Sequence, residues 1–535
     1  MPVQLPATTT PLRWRALLAL SLAAFAGLLA YLAWQVRPIP MHDLHLADGE
    51  KLQCVSYAPF RLPGQTPFDP TLRIPHEQIA DDLAALSRIT RCVRLYSVDQ
   101  GLDAVPAVAR ELGLKVLLGA WIGIDPKRNA VELDRAIALA NEYADVVDAL
   151  IVGNEVLLRR ERTPAEMREL LAYAKQRAQV PVTYADVWEF WMRNRELAAE
   201  VDLVTVHILP FWEDHPVGVD TALEHVGEVF NEVRAAFDKP VMIGETGWPS
   251  AGRQRQESRP SRVNQARYVR EFIHHAHQQG WRYNLIEAVD QPWKRRLEGT
   301  VGGFWGMLDP TLAPKFPLAG PVAERNDLRT PLLGGLAGLL LCVVLASRAR
   351  HTTRARRAAA GAMGLVGGIV AVLHAEHALL AYRDALEWSV LGAVAVLGAA
   401  LPLLLSCWNG EGRLPCVAHA WQAVRRRISL PAPLVLLGLV RGVLLFACAV
   451  AALLLAVDPR YRDFPIWLYL LPALYLGLLG WLAAEHGNEE RLCSLVIVAA
   501  VLLRWLPEPA NPQAIAWLLV GLAFGLPALL ARKRE

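Results

Sequence analysis

The chain has 535 residues, 53% of them hydrophobic and 20% charged, with a mean hydropathy of +0.24. That is more apolar and less charged than the roughly 25% charged average of soluble domains, which argues against a purely soluble protein. The net charge of +3 hides a segregation, because residues 37–330 carry 35 Lys and Arg against 41 Asp and Glu, a balance of −6, while the flanks carry 20 against 11, a balance of +9. The basic excess belongs to the apolar flanks and reads as membrane topology. With no basic patch interleaved with aromatics, it speaks against nucleic acid as a partner.

In chain order, Arg13 and Arg15 precede an apolar run from Ala16 to Val36, long enough for the ~20 helical residues a bilayer needs. The run exceeds the core of a cleaved leader and no small-x-small site follows it, so residues 1–36 read as a cytoplasmic tail and signal anchor. After Pro331 about seven further spans follow, at 331–347, 358–382, 386–407, 434–457, 464–484, 492–506 and 513–531. Arg13 and Arg15, then Arg348, Arg350, Arg354, Arg356 and Arg357, then Arg413, Arg425, Arg426 and Arg427, and finally Arg532, Lys533 and Arg534 all fall on one side of that arrangement. The positive side is the cytoplasm. Residues 37–330 then lie across the membrane, in a periplasm-like compartment, and residues 331–535 form a membrane domain. Within the spans, His374, Glu376, His377 and Arg441 mark a pathway, a partner or interhelical hydrogen bonds.

From Leu52 to about Val289, β-rich runs alternate with amphipathic helical stretches, the pattern of a parallel sheet with helical crossovers. The strands are expected at Leu52–Tyr57, Arg91–Tyr96, Leu114–Ala120, Ala149–Asn154, Pro181–Tyr184, Leu203–His207, Pro240–Gly244 and Arg282–Ala288. Eight such units in ~250 residues predict an α/β fold, a (β/α)8 TIM barrel, with a doubly wound open sheet as the alternative. Of seven cysteines only Cys54 and Cys92 fall in this region, with no CxxC and no paired Cys/His spacing of a zinc site. They read as buried thiols on adjacent strands, with a single bridge between them as the alternative.

A TIM barrel keeps its chemistry at the C-terminal ends of its strands. Asp99, Trp121, Glu155, Asp186, His207, Glu245, Glu287 and Asp290 follow the strands there, and carboxylates in such a series have no packing reason. Ile151-Val152-Gly153-Asn154-Glu155 and Val241-Met242-Ile243-Gly244-Glu245 each deliver a glutamate after an apolar strand, three strands apart, so the two can face each other across the mouth. Breaking a glycosidic bond with retention needs two carboxyls ~5–5.5 Å apart, one protonated and one ionised.

These residues carry a resemblance. Asn154-Glu155, Gly244-Glu245-Thr246-Gly247-Trp248-Pro249-Ser250, Arg94-Leu95-Tyr96-Ser97 and Glu287-Ala288-Val289-Asp290-Gln291-Pro292-Trp293-Lys294 are similar to glycoside hydrolase family 17, over about residues 52–318. The resemblance implies action on β-1,3-glucan with retention, Glu155 as acid/base and Glu245 as nucleophile. The motif after strand eight resembles members that transfer glucan segments, and the flanking spans resemble bacterial inner-membrane β-glucan transglycosylases or β-(1,6)-glucan synthases. One departure is His207-Ile208-Leu209-Pro210, where the family has a Tyr-Pro turn.

Trp121, Phe211, Trp212, Trp248 and Trp293 are candidates to stack on sugar faces, with about half of them expected in the core. Tyr57, Arg94 and Tyr96 are expected near the two glutamates, the alternative for Arg94 being an internal salt bridge. Asn154, His207, Glu287, Asp290 and Lys294 complete the expected substrate-binding set. No cofactor and no metal is expected. The expected partners are a β-1,3-glucan or gluco-oligosaccharide donor and acceptor, the lipid bilayer, and a glucan synthase or export complex. The expected function is transglycosylation on the outer face of an inner membrane with both termini cytoplasmic; a hydrolytic endo-β-1,3-glucanase and a non-catalytic glucan-binding or translocating protein are the alternatives.

Overall fold

The computed structural model describes residues 9–44, 51–348, 353–426 and 430–530. The expected cytoplasmic residues Arg350, Arg427, Arg532, Lys533 and Arg534 lie outside that set. The chain divides into two compact units, Pro38–Val322 and the segments on either side of it.

Helix α1 (Thr9–Gln35) belongs to the flanking unit. In the central unit the strands are β1 (Val55–Ser56), β2 (Cys92–Arg94), β3 (Lys115–Ala120), β4 (Val147–Asn154), β5 (Val182–Val187), β6 (Val204–His207), β7 (Val241–Thr246) and β8 (Arg282–Leu285). All pair in parallel with their sequence neighbours, and β1 closes on β8 through Val55 and Leu285. The sheet is a closed barrel, not the open alternative. Around it run α2 (His76–Leu86), α3 (Val105–Glu111), α4 (Pro126–Glu142), α5 (Pro164–Lys175), α6 (Trp188–Arg193), α7 (Val219–Ala236) and α8 (Arg262–Gln279), with a short α9 (Arg295–Glu298) after β8. Local signals start these helices: Asp125 accepts from the Lys127 N–H at 2.9 Å ahead of Pro126, and Thr163 with Glu166 forms a capping box on α5.

Alternation along the strands sorts their side chains into two cores. Val55, Val93, Val116, Leu118, Leu150 and Val152 pack outward in a cluster shared with helix residues such as Leu83 and Ala136. Cys54, Cys92, Leu117, Ala149, Ile151, Ala185, Leu203 and Met242 form a separate cluster made of strand residues and their immediate ends, which is the inner layer of the barrel. Cys54 and Cys92 are bonded as a disulfide within it, Cα to Cα 4.3 Å. This corrects the expectation of free thiols: the register sets Val55 beside Val93, so the preceding residues face each other on the inner side.

In the flanking unit, α1 is joined by α10 (Arg329–Ser347), α11 (Arg354–Ala381), α12 (Ala385–Cys407), α13 (Val417–Arg426), α14 (Ala432–Val457), α15 (Ile466–Leu471), α16 (Gly477–Leu482), α17 (Asn488–Trp505) and α18 (Pro512–Leu530). Among the described residues six helices are long and apolar enough to cross a membrane: Leu12–Gln35 of α1, and α10, α11, α12, α14 and α18. The other two expected spans are also helical. Residues Ile466–Leu482 carry a π-helical segment at Pro472–Leu476, where proline cannot donate, and α17 opens on Glu489 and Glu490. Gly334 and Gly338 of α10 meet Gly364 and Gly368 of α11 so closely that a Cβ on Gly338 or Gly368 would strike the partner backbone. Three of the expected polar residues in this unit have partners: Glu376 with Arg325, His374 Nε2 with the Tyr382 hydroxyl at 3.1 Å, and Arg441 with the Glu485 carbonyl at 2.7 Å.

Candidate active site

Above the apolar inner layer the barrel turns polar, with Ser56, Arg94, Thr205, His207 and Asn284 buried at inward positions. Two strand ends break the alternation. The β4–β5 register shifts between Ile151 and Asn154, and the β6–β7 register shifts between Val206 and His207, which pairs His207 with Glu245. By alternation from Met242, Glu245 belongs on the outer face; the bulge turns it inward. At β4, Gly153 takes φ +83°, and Glu155 sits at φ 52°, a left-handed conformation uncommon outside glycine. This turn lifts Glu155 out of the strand into the mouth.

The ligand atoms of Glu155, His207 and Glu245 lie within 4.8 Å of one another, so the two carboxyls face each other. Glu245 is buried and held from two sides. Arg94 Nη1 donates to its Oε1 at 2.7 Å and the Tyr96 hydroxyl donates to the same oxygen at 2.9 Å. Arg94 also donates through Nη1 to the Gly244 carbonyl at 3.1 Å and through Nη2 to Asn154 Oδ1. Asn154 Oδ1 lies 3.0 Å from His207 Nε2, which stands 3.6 Å from Glu245. Beneath them Asn284 Nδ2 donates to Ser56 Oγ and to the Gly244 carbonyl, both at 2.8 Å, and the Ser56 hydroxyl donates to the Tyr96 oxygen at 3.0 Å.

This asymmetry separates the two protonation states. Burial, the charge of Glu245 and then Asp186 push Glu155 up to about 8, against the pull of Arg159 and Arg94. Burial works against the charge of Glu245 too, but His207, Arg94, the Tyr96 hydroxyl and Lys294 together hold it below the usual glutamate range. Burial brings His207 down to about 4, so at neutral pH its ring is uncharged and Arg94 is the main electrostatic support of Glu245. The pair therefore presents one protonated and one ionised carboxyl near pH 7. The three facing donors could also hold a cation, but the Arg94 guanidinium already places a full positive charge against Glu245.

Residues 54–306 match the profile of the BtgE/BtgC glycoside hydrolase domain. Over that stretch the chain is similar to a glycoside hydrolase domain. The chain is 28% identical over 265 residues to glucan endo-1,3-beta-glucosidase btgC of Emericella nidulans, covering 43% of this chain and 40% of that protein. It is 27% identical over 242 residues to the probable beta-glucosidase btgE of Aspergillus flavus, covering 44% and 39%. The chain thus spans about two fifths of the length of these curated relatives. A glycoside hydrolase family 17 beta-1,3-glucanosyltransferase from Rhizomucor miehei aligns with 50% of this chain and 98% of its own at 25% identity, with a TM-score of 0.45.

The barrel mouth brings Arg94, Tyr96, Asn154, Glu155, His207 and Glu245 together. Lys294 Nζ bonds both oxygens of buried Glu287, at 3.0 and 2.9 Å, and burial lifts Glu287 to about 7 against that pull. Trp121 is 41% exposed, with the Arg159 guanidinium 4.2 Å above its ring. Trp212 and Trp293 are half-buried, the first 6.2 Å from Trp305 and the second 5.6 Å from Phe68.

Four other expected substrate contacts are engaged within the protein. Tyr57 shares the outward face of Val55, is buried, and donates to Asp82 on α2 at 2.9 Å. Phe211 and Trp248 are fully buried, 5.7 Å apart, and the Trp248 Nε1–H donates to the Arg259 carbonyl at 2.9 Å. Asp290 is buried under Lys315 Nζ at 2.7 Å and the Gly306 N–H at 2.9 Å, a brace for the loop after β8. Asp99 is exposed and pairs with Arg135. Sequence reasoning missed Ser56, Asn284 and Glu298, a half-buried acid whose charge acts on Lys294. For the first two the inward alternation from Cys54 and Tyr283 is a usable signal; for Glu298, past the last strand, there is none.

Proposed function

We propose that this chain is a membrane-anchored, retaining β-1,3-glucan transglycosylase in which Glu155 is the acid/base and Glu245 the nucleophile. The observation that carries the reading is the facing pair: carboxyl oxygens within 4.8 Å, one carboxyl held protonated and the other ionised. That spacing suits retention and leaves no room for the water that inversion requires at ~6.5–9.5 Å. Glu155 protonates the leaving glycosidic oxygen while Glu245 attacks the anomeric carbon; Glu155 then takes the proton from the incoming hydroxyl as the glycosyl–enzyme ester breaks. Arg94 and Tyr96 hold the Glu245 oxygen in place, and Asn154, Lys294 and Glu287 offer hydrogen bonds to sugar hydroxyls. The β-1,3 linkage is supported by the name of the Emericella relative. With Phe211 and Trp248 buried, the acceptor platform reduces to Trp212, with Trp121 and Trp293 as further stacking faces.

The compartment is proposed on charge and chemistry. Residues 1–36 anchor the chain in a bacterial inner membrane, residues 37–330 form the periplasmic catalytic domain, and residues 331–535 form the membrane domain. The disulfide at Cys54 and Cys92 fits an oxidising compartment. Both termini are cytoplasmic in this arrangement, in which Ile466–Leu482 and α17 both cross the membrane. A glucan delivered by a synthase or export complex is the substrate in this arrangement.

Transfer and new β-1,6 bonds are the finer part of the proposal, and the glucosidase name of the Emericella relative favours simple hydrolysis as the second reading. Incubating the full chain with β-1,3-gluco-oligosaccharides and analysing product length and linkage decides between them. Products longer than the donor, some with β-1,6 bonds, are expected; shorter sugars alone at high substrate concentration make it a hydrolase.

A further inference from the structure

The loops joining α12 to α13 and α16 to α17 gather donors that glucan chemistry does not use. Cys416 immediately precedes α13, His419 lies in its first turn, and Glu485 comes from the segment before α17. One ligand atom from each, a thiol sulfur, an imidazole nitrogen and a carboxylate oxygen, lie within 4.8 Å of one another. His419 Nδ1 and Glu485 Oε2 are 2.7 Å apart. Sequence spacing alone misses this set, because a single Cys-x-x-His is completed by a residue 66 positions beyond His419.

The frame under these donors is built. Leu414 N–H donates to the Ala483 carbonyl and Glu485 N–H to the Leu414 carbonyl, both at 2.8 Å, so the two loops are laced together. Glu490 is buried and accepts from Val417 N–H at 2.6 Å and Gly487 N–H at 3.0 Å. Cys416 is 6% exposed, and its sulfur accepts the His419 backbone N–H. Arg413 donates to the Ala484 carbonyl at 3.1 Å, and Arg441 to the Glu485 carbonyl and His486 Nδ1, both at 2.7 Å, which fixes the backbone of the loop that carries Glu485. Three donors of mixed type, carried by two loops laced to each other and within 4.8 Å of one another, make a ready ligand set.

We propose that Cys416, His419 and Glu485 bind a divalent cation of the zinc class, which ties helix α13 to the loop before α17. A mixed sulfur, nitrogen and oxygen set suits Zn²⁺ and disfavours Mg²⁺ or Ca²⁺, which prefer oxygen alone. Tetrahedral zinc at about 2.0–2.3 Å from each ligand separates its donors by about 3.4–3.6 Å, so the observed set closes by small side-chain rotations. Water or the exposed Glu489 carboxylate fills the fourth position, and the Cys416 proton leaves to solvent on binding. The ion fastens an amphipathic helix whose Ala420 and Ala423 are buried while Trp421, Val424, Arg425 and Arg426 are exposed.

The test uses the full chain in detergent, equilibrated with Zn²⁺, dialysed against metal-free buffer and assayed for metal by mass spectrometry. About one zinc per chain is expected, falling tenfold or more in Cys416→Ser and in His419→Ala; His419 is exposed, so that variant folds even if the buried serine does not. Co²⁺ should give a thiolate-to-metal absorption band that Cys416→Ser removes. No retained metal, or retention unchanged in both variants, overturns the proposal; unchanged retention puts the ion on other donors. Neither result bears on the roles given to Glu155 and Glu245.

Discussion

Replacing Arg94 with Met removes the cation that holds Glu245 ionised while keeping an unbranched side chain in the barrel. Both groups are almost fully enclosed, with side chains 1% and 5% exposed and 2.7 Å between Nη1 and Oε1. With charge centres about 4 Å apart and an effective dielectric of about 20, their attraction is about 4 kcal/mol. At 1.36 kcal/mol per unit this corresponds to about three pH units of support for the carboxylate. The sign follows directly: Glu245 must be ionised to attack, its carboxyl is now held low, and activity falls as pH drops through that value. Without Arg94 the acidic limb of kcat/KM on a β-1,3-gluco-oligosaccharide moves toward neutrality by about two to three units, Tyr96 and Lys294 retaining the remainder. Arg94→Lys keeps the charge and loses the fork to Asn154, so its limb stays near the wild-type position while kcat falls. An acidic limb unmoved in Arg94→Met would refute the electrostatic account of Glu245.

Further consequences can be checked separately. The alkaline limb should lie near pH 8, where Glu155 loses its proton, and Glu155→Gln should abolish that limb while sparing donors whose leaving group needs no acid; a wild-type profile flat through pH 9 contradicts this. Tyr96→Phe removes a hydrogen bond to a buried carboxylate, worth about 1.5–3 kcal/mol, and should lower kcat about tenfold or more with little change in KM. The cross-link between Cys54 and Cys92 closes 38 residues, so the double serine variant should lower barrel stability by about 4 kcal/mol, seen as earlier barrel unfolding that reductant reproduces in the wild type. Trp212→Ala should shift products from transfer toward hydrolysis before it stops bond cleavage, because a stacked acceptor outcompetes water by proximity. Reporter fusions within residues 349–357 should report cytoplasm, and one within residues 60–320 the outer compartment.

What the sequence made legible is what period and strand ends encode. Apolar runs ending in Asn154-Glu155 and Gly244-Glu245 mark the barrel and its pair, because a charged residue directly behind a buried strand has few other reasons to be there. The same alternation predicts the wrong face for Glu245, since the bulge that turns it inward depends on the β6–β7 register and leaves no mark in composition. Tyr57 follows parity: with Cys54 and Ser56 inside, the residue after Ser56 lies outside with Val55 and meets Asp82. Phe211 and Trp248 are aromatics in mouth loops, and their burial is decided by neighbours such as Trp305 and Tyr268, far off in the chain. The disulfide needed register as well as strand adjacency. In the membrane unit, hydropathy marks the helices readily, but whether Ile466–Leu482 and α17 span depends on packing around Pro472 and the glutamates.

The central claim is that Glu245 forms a covalent glycosyl–enzyme with β-1,3-glucan. A laminaribiosyl donor bearing 2-fluorine and a good leaving group slows breakdown of that intermediate, so the full chain should gain one disaccharide mass. Peptide mapping should place it on Glu245, and Glu245→Gln should carry none. Continued turnover of the natural glucan with no labelled protein, or a label on a residue other than Glu245, would contradict the account.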